Sequence, residues 1–285
     1  MAKPRRTRRR SHRLRNFLLL CILCAVFLRW SNHSLQVESF TFTSPRLPAG
    51  FDGTTIVQLS DLHGAQFGED NEKLLDQVRK ANPDFIFLTG DLQDRYRQTP
   101  RSYSVALGHA CAEIAPTYFI TGNHEWAFPD IRELKRELSQ VGVTVLTNEY
   151  VPLTRNGDSI LLAGIDDPNG FADQKTPEEL AAELKAANPD AFWFLLAHRN
   201  NYFEKNYSRL GADLVISGHG HGGLIRLPFT DGLVSVERSF FPSYTAGFYE
   251  ANGAKVFVSR GLGNSGKTFR LFNRPEMVIL TLKRE

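Results

Sequence analysis

The segment that decides the fold reads Ile56-Val57-Gln58-Leu59-Ser60-Asp61-Leu62-His63, in which a short apolar run passes directly into two metal-binding side chains. Similar apolar runs, which we predict to be buried strands, lie at residues 56–59, 85–88, 118–120, 192–196 and 214–216. Each is followed within a few residues by aspartate, asparagine or histidine. The pattern places polar side chains at the ends of buried strands, where a rigid sheet can gather residues from distant parts of the sequence.

The side chains at these strand ends are of the types that bind metal ions. The five blocks that carry them are Asp61-x-His63, Gly90-Asp91-x-x-Asp94, Gly122-Asn123-His124-Glu125, His198 and Gly218-His219-x-His221. One such pair alone is weak evidence, because side chains two residues apart often share one face of a strand. Five blocks, each at the end of an apolar run, predict a shared metal site.

The composition predicts one folded domain behind a basic leader. With 285 residues, of which 42% are hydrophobic, the chain can bury one sizeable core. Residues 1–16 contain eight lysines and arginines and no acid, and subtracting these charges from the net +3 leaves −5 for the remainder. A mildly acidic body has no electrostatic footprint for nucleic acid, so no nucleic-acid partner is expected.

An apolar segment at residues 17–28 follows the basic leader and is interrupted by Arg29. It is shorter than the roughly 20 apolar residues that comfortably cross a bilayer, and its length also fits a signal-peptide core. No clear small-x-small cleavage site follows, which favours an uncleaved membrane anchor. The positive-inside rule then predicts an extracytoplasmic, or exported, folded domain. A basic nucleic-acid arm, a twin-arginine export signal and a lipoprotein cysteine at Cys21 or Cys24 are weaker alternatives.

Helical stretches alternate with the apolar runs, which predicts an α/β fold. The predicted helices lie at residues 71–81, 102–113, 129–141 and 176–187. Asn156-Gly157 predicts a hairpin that joins residues 151–155 to residues 160–165, so the sheets should be mixed. Further strands are expected at residues 256–259 and 278–282.

Together, the five blocks resemble the motifs of the calcineurin-like metallophosphoesterases. The resemblance runs from about Thr54 to the C-terminus. The apolar segment, residues 222–228 and the closing Ser259-Arg260-Gly261-Leu262-Gly263 look most like the branch of membrane-anchored bacterial phosphodiesterases. The resemblance implies a four-layer α-β-β-α sandwich, in which two mixed sheets pack together with helices outside and their strand-end loops converge at the site.

With this resemblance the chain divides into four parts. We predict a basic cytoplasmic segment at residues 1–16, a membrane anchor or uncleaved signal at 17–30, a spacer at 31–50 and the metallophosphoesterase catalytic domain at 51–285. The spacer, which contains Pro45 and Pro48, is either irregular or an edge strand.

The resemblance also implies the roles of the ligand residues. One metal would be held by Asp61, His63, Asp91 and His221, and the other by Asp91, Asn123, His198 and His219. The shared Asp91 would bridge two cations roughly 3.5 to 4 Å apart, where both activate one hydroxide for in-line attack on phosphorus. Imidazoles mixed with oxygen ligands disfavour calcium and favour manganese, with iron or zinc as alternatives.

His124, by the same resemblance, is the acid that protonates the leaving oxygen, and Asp94 orients it. A carboxylate hydrogen-bonded to one imidazole nitrogen fixes the tautomer and raises the basicity of the other. Arg95 stands where some relatives use an arginine to grip phosphate, although Tyr96 follows where those relatives often have glycine. Arg95 is thus the predicted substrate-binding residue.

The pocket walls are expected from Asp166, Asp167, Phe171 and residues 229–249. Residues 261–268 satisfy the pattern of a nucleotide-binding P-loop. A working P-loop needs a helix after it, whereas Pro275 follows soon and few residues remain. A glycine turn beside the site is therefore the preferred interpretation.

The predicted function is a metal-dependent phosphoesterase, with a phosphodiester preferred over a phosphomonoester. The alternatives are a phosphomonoesterase of the same fold, a nucleotide-binding protein that uses the glycine loop, and a non-catalytic anchored binding module. The last is disfavoured because the sequence has a metal-binding residue at every ligand position and a histidine at position 124. The substrate is a small phosphodiester or a lipid-linked one, since membrane tethering favours the latter and the fold alone does not decide.

Overall fold

The computed structural model describes residues 6–171, 174–227, 229–236 and 238–285. Its helices are α1 (Arg6–His33), α2 (Glu72–Ala81), α3 (Arg101–Ala112), α4 (Ile131–Gln140) and α5 (Pro177–Ala187). Its strands are β1 (Gln36–Ser44), β2 (Thr55–Leu59), β3 (Phe85–Leu88), β4 (Thr117–Phe119), β5 (Val143–Val145), β6 (Glu149–Arg155), β7 (Asp158–Gly164), β8 (Trp193–Arg199), β9 (Leu214–Gly218), β10 (Ile225–Arg226), β11 (Gly232–Val234), β12 (Gly247–Ala251), β13 (Ala254–Val258) and β14 (Glu276–Arg284). The predicted helices and strands are all present, with ends shifted by a few residues at most.

The strands form two six-stranded sheets and a small ribbon. The first sheet, in the order β1-β14-β2-β3-β4-β5, is parallel except where β14 pairs antiparallel with β2. The second, in the order β12-β13-β9-β8-β7-β6, is parallel at its centre and antiparallel at both edges. β10 and β11 pair separately. The prediction of mixed sheets is confirmed.

The two sheets pack face to face, and helices cover their outer faces. Alternate side chains of a strand point to opposite faces, so Phe87 of β3 and Phe194 of β8 meet in the core between the sheets. Ile86 of β3 instead packs toward α2, α3 and α4, and Leu195 of β8 packs toward α5. Because both faces are covered, the central strands are continuous apolar runs rather than alternating ones. The four-layer α-β-β-α fold is confirmed.

Local sequence signals set several element ends. Thr176 caps α5, since its side chain accepts the N–H of Glu179 while the Glu179 carboxylate accepts the N–H of Thr176, and Pro177 opens the helix. Asn156 and Gly157 both adopt positive φ, at 50° and 85°, which suits the tight hairpin turn between β6 and β7.

The spacer predicted at residues 31–50 requires a correction. Residues 36–44 form β1, an edge strand that pairs in parallel with β14 along its whole length. Phe42 of this strand is buried in the core between the sheets. Of the two alternatives the edge strand is present, so the sheet begins before the boundary placed at residue 51.

Helix α1 can be either a membrane anchor or a signal sequence. Its residues His12–His33 are long and apolar enough to cross a membrane, with a mean hydropathy of 1.6. The end of α1 is joined to the folded body, because Asn32 Nδ2 donates to the carbonyl of Arg270 at 2.9 Å and Asn32 Oδ1 accepts the N–H of Arg270 at 2.7 Å. The end of α1 is therefore hydrogen-bonded to the loop between β13 and β14.

Candidate active site

The candidate site lies where strands of both sheets end. The loops after β2 and β3 run side by side, since Asp61 N donates to Gly90 O at 3.0 Å and His63 N donates to Asp91 O at 2.9 Å. Beneath them, Gln58 Nε2 donates to Thr89 Oγ1 and to the carbonyl of Ser217 in the second sheet, at 2.9 and 3.0 Å. These bonds fix the ends of the two sheets relative to each other.

Five of the seven predicted metal ligands have a left-handed backbone. They are Asp61, His63, Asp91, His219 and His221, whose φ angles lie between 48° and 67°. Non-glycine residues in this region cost of order 1–3 kcal/mol each and persist where the surroundings hold them, often at functional sites. Aspartate and histidine tolerate the region better than most residues do. The loops turn sharply right after their strands and bring the five side chains to one place.

Two glycines allow the loops to approach this closely. A Cβ atom on Gly122 would lie 2.2 Å from Asp91 Oδ1, and one on Gly218 would lie 2.4 Å from Asp61 Oδ2. Glycine therefore precedes the ligand residues because any side chain would displace the neighbouring carboxylate.

Asp91 lies at the centre of the predicted ligands and is buried. Its Oδ2 is 3.7 Å from His63 Nε2 on one side and 3.3 Å from His198 Nε2 on the other. Its Oδ1 accepts the backbone N–H of His124 at 2.8 Å. One carboxylate oxygen thus faces both predicted metal positions, while the other is fixed by the backbone.

The first group of ligand atoms comes from Asp61, His63 and His221, which lie within 4.8 Å of one another. The Nε2 atoms of the two histidines are 3.0 Å apart. Asp61 is held by Ser60 Oγ at 2.6 Å and by the N–H of His219 at 3.0 Å. Burial lowers the pKa of His63 to about 3 and is the main cause of the lowered pKa of His221. Both imidazoles are neutral at neutral pH, as a metal ligand must be.

The second group comes from Asp91, His198 and His219. His198 Nδ1 lies 2.8 Å from the carbonyl of Thr89, which fixes the proton on Nδ1 and leaves Nε2 toward the site. Asn123 Oδ1 is buried and has no hydrogen-bond partner among the described residues, and His198 Nε2 faces Asp91 Oδ2 at 3.3 Å. Buried polar atoms are normally paired, so the unpaired amide oxygen fits a cation held between Asn123, Asp91 and His198. The donor set of imidazole nitrogens, carboxylates and one amide oxygen suits two divalent ions.

We predict that metal binding releases a proton from His198. Burial lowers the pKa of His198, but Asp91 and Asp61 outweigh it and raise this pKa to about 10. In the metal-free protein His198 is protonated at pH 7, and a ligand nitrogen must lose its proton. The affinity of the second metal should therefore rise with pH, by up to about tenfold per unit below that pKa.

The measurement is calorimetric titration of the metal-free protein with Mn²⁺ in two buffers of different ionisation enthalpy at pH 7. We expect the wild-type protein to release about one proton and His198→Gln to release none. His109→Gln, which changes an exposed helix histidine, should behave as the wild type. Equal heats in both buffers would contradict the prediction.

His124 lines the same site, and its environment differs in part from expectation. Its Nδ1 accepts the backbone N–H of Arg95 at 3.1 Å, whereas Asp94 Oδ1 is 3.6 Å away, beyond hydrogen-bonding distance. The Asp94 carboxylate instead accepts the N–H of Tyr96 at 2.7 Å and that of Gly266 at 2.6 Å. Burial lowers the pKa of His124, so the ring is neutral, with its proton on Nε2. The predicted orienting bond is not formed in this state because backbone N–H groups occupy the carboxylate.

The glycine loop at residues 261–268 lies beside this histidine. Ser265 Oγ is 3.3 Å from His124 Nε2, and Gly263 O lies 3.2 Å from His221 Nδ1. In the described part of the chain, the element that follows the loop is β14 and not a helix. The glycine turn beside the site is confirmed, and the P-loop alternative lacks the helix N-terminus that phosphate binding requires.

The ligands open into a cavity of about 250 Å³. Its lining consists of His63, Asp91, Arg95, Tyr96, Asn123, His124, Asn169, Arg199, His219, His221, Val236 and Ser265. Arg95 is thus at the cavity, with Nη2 donating to Tyr96 Oη at 2.6 Å. Arg199, which sequence reasoning missed, forms two bonds with Asp167 at 2.7 and 3.1 Å. Its one available signal was its position directly after His198.

The predicted pocket walls in the middle loop are corrected by these contacts. Asp167 holds Arg199 instead of facing the cavity, and Asp166 binds Lys135 Nζ at 2.6 Å. Phe171 packs edge-on against Trp126, with ring centroids 5.0 Å apart. Charge pairing and ring packing therefore engage all three residues away from the cavity, and Asn169 is the loop residue that lines it.

Glu125 and Arg270 are buried supports that sequence reasoning did not assign. Glu125 accepts the backbone N–H groups of Asp91, Gln93 and Gly122 at 2.8 to 3.0 Å, which binds the loops after β3 and β4 together. Burial and the Asp91 charge raise the Glu125 pKa to about 7. Arg270 Nη2 lies 3.1 Å from His221 Nδ1 and donates to Gly263 O at 2.7 Å.

Comparison with known proteins gives consistent results. The sequence model of the family described as calcineurin-like phosphoesterase matches residues 54–223. The chain is 29% identical to the uncharacterized metallophosphoesterase YkuE of Bacillus subtilis, over 88% of this chain and 86% of that protein. It is 31% identical to a transmembrane protein with metallophosphoesterase domain of Bos taurus, over 84% of this chain and 55% of that protein. Among solved structures it is similar in fold to the sulfate thiohydrolase SoxB of Thermus thermophilus, with a TM-score of 0.50, 11% identity and coverage of 75% of this chain and 53% of that one.

Proposed function

Because the chain belongs to the calcineurin-like phosphoesterase family and is a hydrolase of phosphoric esters, we propose that it is a phosphodiesterase that uses two divalent metal ions. The observation that carries the proposal is the meeting of two His/Asp groups and His124 at one cavity. A relict or purely structural site has no reason to keep all these groups together with an unpaired ligand atom.

The proposed ligands follow the two groups. Asp61, His63, Asp91 and His221 would hold one ion, and Asp91, Asn123, His198 and His219 the other, with Asp91 shared. Bound ions of this kind supply positive charge for the phosphoryl oxygens and lower the pKa of water. Manganese is the preferred ion, with iron or zinc as alternatives, since the donor set mixes nitrogen and oxygen.

His124 is the proposed proton donor to the leaving alcohol. To act as an acid it must first carry protons on both ring nitrogens, which the negative charge of a bound phosphoester favours. Its Nδ1–H then needs an acceptor, and Asp94 Oδ1, 3.6 Å away, is the neighbouring carboxylate. As the P–O bond to the leaving group breaks, that oxygen takes the Nε2 proton, while water supplies the oxygen that replaces it. Asp94 is thus proposed as a positioning residue.

The shape and charge of the cavity favour a diester over a monoester. Arg199 is already neutralised by Asp167, so Arg95 is the one of the two cavity arginines left to meet a phosphate charge, which suits the single charge of a diester better than the two charges of a monoester. The cavity also shares Tyr96, Val236 and Ser265 with a larger neighbouring groove. That opening leaves space for a second ester substituent.

We further propose that α1 anchors the enzyme in a membrane with its catalytic domain on the extracytoplasmic side. The basic leader before the apolar segment supports this orientation through the positive-inside rule. Arg95 is proposed to contact the substrate because it lines the cavity.

The test is hydrolysis of bis(p-nitrophenyl) phosphate and of p-nitrophenyl phosphate by the full-length, metal-stripped protein before and after Mn²⁺ is added. We expect diester cleavage only when metal is present. The kcat/KM for the diester should exceed that for the monoester at least about tenfold, which corresponds to a difference of about 1.4 kcal/mol in the activation barrier. A monoester preference would make the chain a phosphomonoesterase. Inactivity on both with two ions bound would favour a binding module.

A further inference from the structure

Large apolar side chains are exposed in one region of the folded body. This region, the apolar rim, comprises the β10–β11 ribbon, the loops that follow its two strands, and the part of the β13–β14 loop that is hydrogen-bonded to β10. Its exposed members are Leu227, Phe229, Phe240, Phe241, Phe269 and Phe272, each at least 46% accessible. Single exposed apolar residues are normal, but a cluster of this kind marks a surface that contacts something other than water.

Backbone hydrogen bonds join the rim into one unit. Arg226 N donates to Leu271 O and Leu271 N donates to Leu224 O, both at 3.0 Å. Phe241 N donates to Leu233 O at 2.9 Å. The segments that carry the exposed phenylalanines are therefore joined to the ribbon through their backbones.

The rim adjoins the end of α1. The rings of Phe27 in α1 and Phe272 in the rim are 4.9 Å apart, and Arg274 lies over the ring of Trp30 at 4.8 Å. If α1 crosses a membrane, this contact places the rim at the bilayer surface, where aromatic side chains are stable. The occupant of the rim is thus the membrane that holds α1.

A groove of about 980 Å³ runs from the rim to the candidate site. Its apolar wall consists of Leu224, Ile225, Val234, Val236 and Phe269. Three cations, Arg97, Arg238 and Lys267, also line it. Tyr96, Val236 and Ser265 belong to the lining of both the groove and the catalytic cavity. One molecule can therefore occupy both, with an apolar part in the groove and a phosphate at the ligands.

We propose that the substrate is a phosphodiester of a membrane lipid, whose acyl chain lies in this groove while its phosphate reaches the catalytic cavity. The proposal rests on the phosphodiesterase function above. The groove cations match the negative charge of such a lipid. Water adds its oxygen to phosphorus, the P–O bond to the leaving alcohol breaks, and that alcohol departs with a proton. The products are a phosphate monoester and an alcohol.

The first test compares two substrates with the same leaving group. The full-length protein with Mn²⁺, in vesicles of phosphatidylcholine and phosphatidylglycerol, is given the p-nitrophenyl ester of dioleoyl phosphatidate or that of a diacetyl analogue. Each methylene buried in the groove is worth about fourfold. The dioleoyl ester should therefore be preferred at least about tenfold in kcat/KM, and an equal rate on both would overturn the proposal.

The second test uses a variant of the groove. Val234→Asp should lower kcat/KM for the dioleoyl ester at least about tenfold, since a charge opposes acyl binding. It should leave methyl p-nitrophenyl phosphate within about twofold, because a methyl group does not extend into the groove and Val234 does not line the catalytic cavity. Val37→Asp makes the same change on the exposed edge strand β1 and should alter neither rate. Phe269→Ser replaces Val234→Asp if that variant does not fold. A wild-type rate on the lipid ester in both groove variants would overturn the proposal.

A binding measurement separates this proposal from the phosphodiesterase function. Metal-free protein in the same vesicles is irradiated with phosphatidate that carries a diazirine near the middle of its acyl chain. Crosslinks should map to residues 224–236 and 265–272 and decrease in Val234→Asp. Crosslinks there without hydrolysis of any ester would support the groove and reject the phosphodiesterase. Hydrolysis of soluble diesters with crosslinks confined to α1 would support the phosphodiesterase function and reject the groove as the acyl-chain site.

Discussion

Asp91→Asn should lower kcat for a phosphodiester at least about 10³-fold and reduce the bound metal from two ions to one or none. The shared carboxylate oxygen faces His63 on one side and His198 on the other, so its charge serves both proposed metal positions. Metal ions contribute several kcal/mol of transition-state stabilisation, and about 4 kcal/mol corresponds to about 10³-fold in rate. Asparagine keeps the volume and can still accept the N–H of His124, which isolates the effect of the charge.

The measurement combines elemental analysis of the purified protein with steady-state kinetics on bis(p-nitrophenyl) phosphate. Asp84→Asn is the matched control, because Asp84 lies at the opposite end of β3 and binds Thr55 N and Arg155 Nε. It should keep two ions and the wild-type kcat. Proton release on Mn²⁺ binding should also fall in Asp91→Asn, since the carboxylate is a cause of the raised His198 pKa. Full activity with one ion would show that the site does not need a shared ligand.

The sequence predicted the strand ends well because the signal there is local. Each candidate ligand follows its own apolar run within a few residues, and parallel strands carry those ends to one edge of a sheet. The residues 61–63 and 219–221 were found in this way although about 158 residues separate them. That these blocks meet at one site could be predicted from strand polarity and residue type, whereas the roles of the individual ligands came from the family resemblance.

The sequence did not reveal contacts that depend on long-range packing. β1 pairs with β14, about 240 residues away. Nothing in the sequence of β1, a nine-residue run followed by two prolines, identifies that partner strand. Ser265 reaches His124 across 141 residues, and serine in a glycine-rich turn is common. Arg270 and Arg199 support or line the site, but arginine is usually a surface residue. Only the burial of Arg270 and the position of Arg199 at the cavity distinguish them, and both depend on the fold.

The orienting role of Asp94 shows a different limit. Its carboxylate was expected to bond the histidine, yet the N–H groups of Tyr96 and Gly266 occupy it and the gap to His124 Nδ1 is 3.6 Å. A sequence motif gives the residues of a catalytic pair but not the protonation state in which they meet. The bond requires a proton on Nδ1, whereas in the neutral ring that burial favours, Nδ1 accepts the N–H of Arg95.

His124→Ala should reduce kcat by about 10²- to 10⁴-fold on a diester with an alkyl leaving group, the usual range for general acid catalysis. The loss on bis(p-nitrophenyl) phosphate should be at least about tenfold smaller, because a nitrophenolate leaves without being protonated. This dependence on the leaving group separates proton donation from metal binding, since a lost metal ligand would slow both substrates alike. The metal content of the variant should remain at two ions.

The same comparison tests the positioning role proposed for Asp94. Asp94→Asn removes the charge that favours a protonated His124. Its single oxygen can accept the N–H of Tyr96 or that of Gly266 but not both, because these groups bind Oδ1 and Oδ2 of the aspartate respectively. Its defect should also be larger for the alkyl ester, and it should add little to His124→Ala in the double variant, because both act on one proton. His109→Ala, at an exposed histidine of α3, is the matched control and should leave both rates unchanged. Equal losses on the two esters in His124→Ala would remove it from proton transfer and place it among the metal ligands, a role its position within 4.8 Å of His63 and Asp91 would then explain.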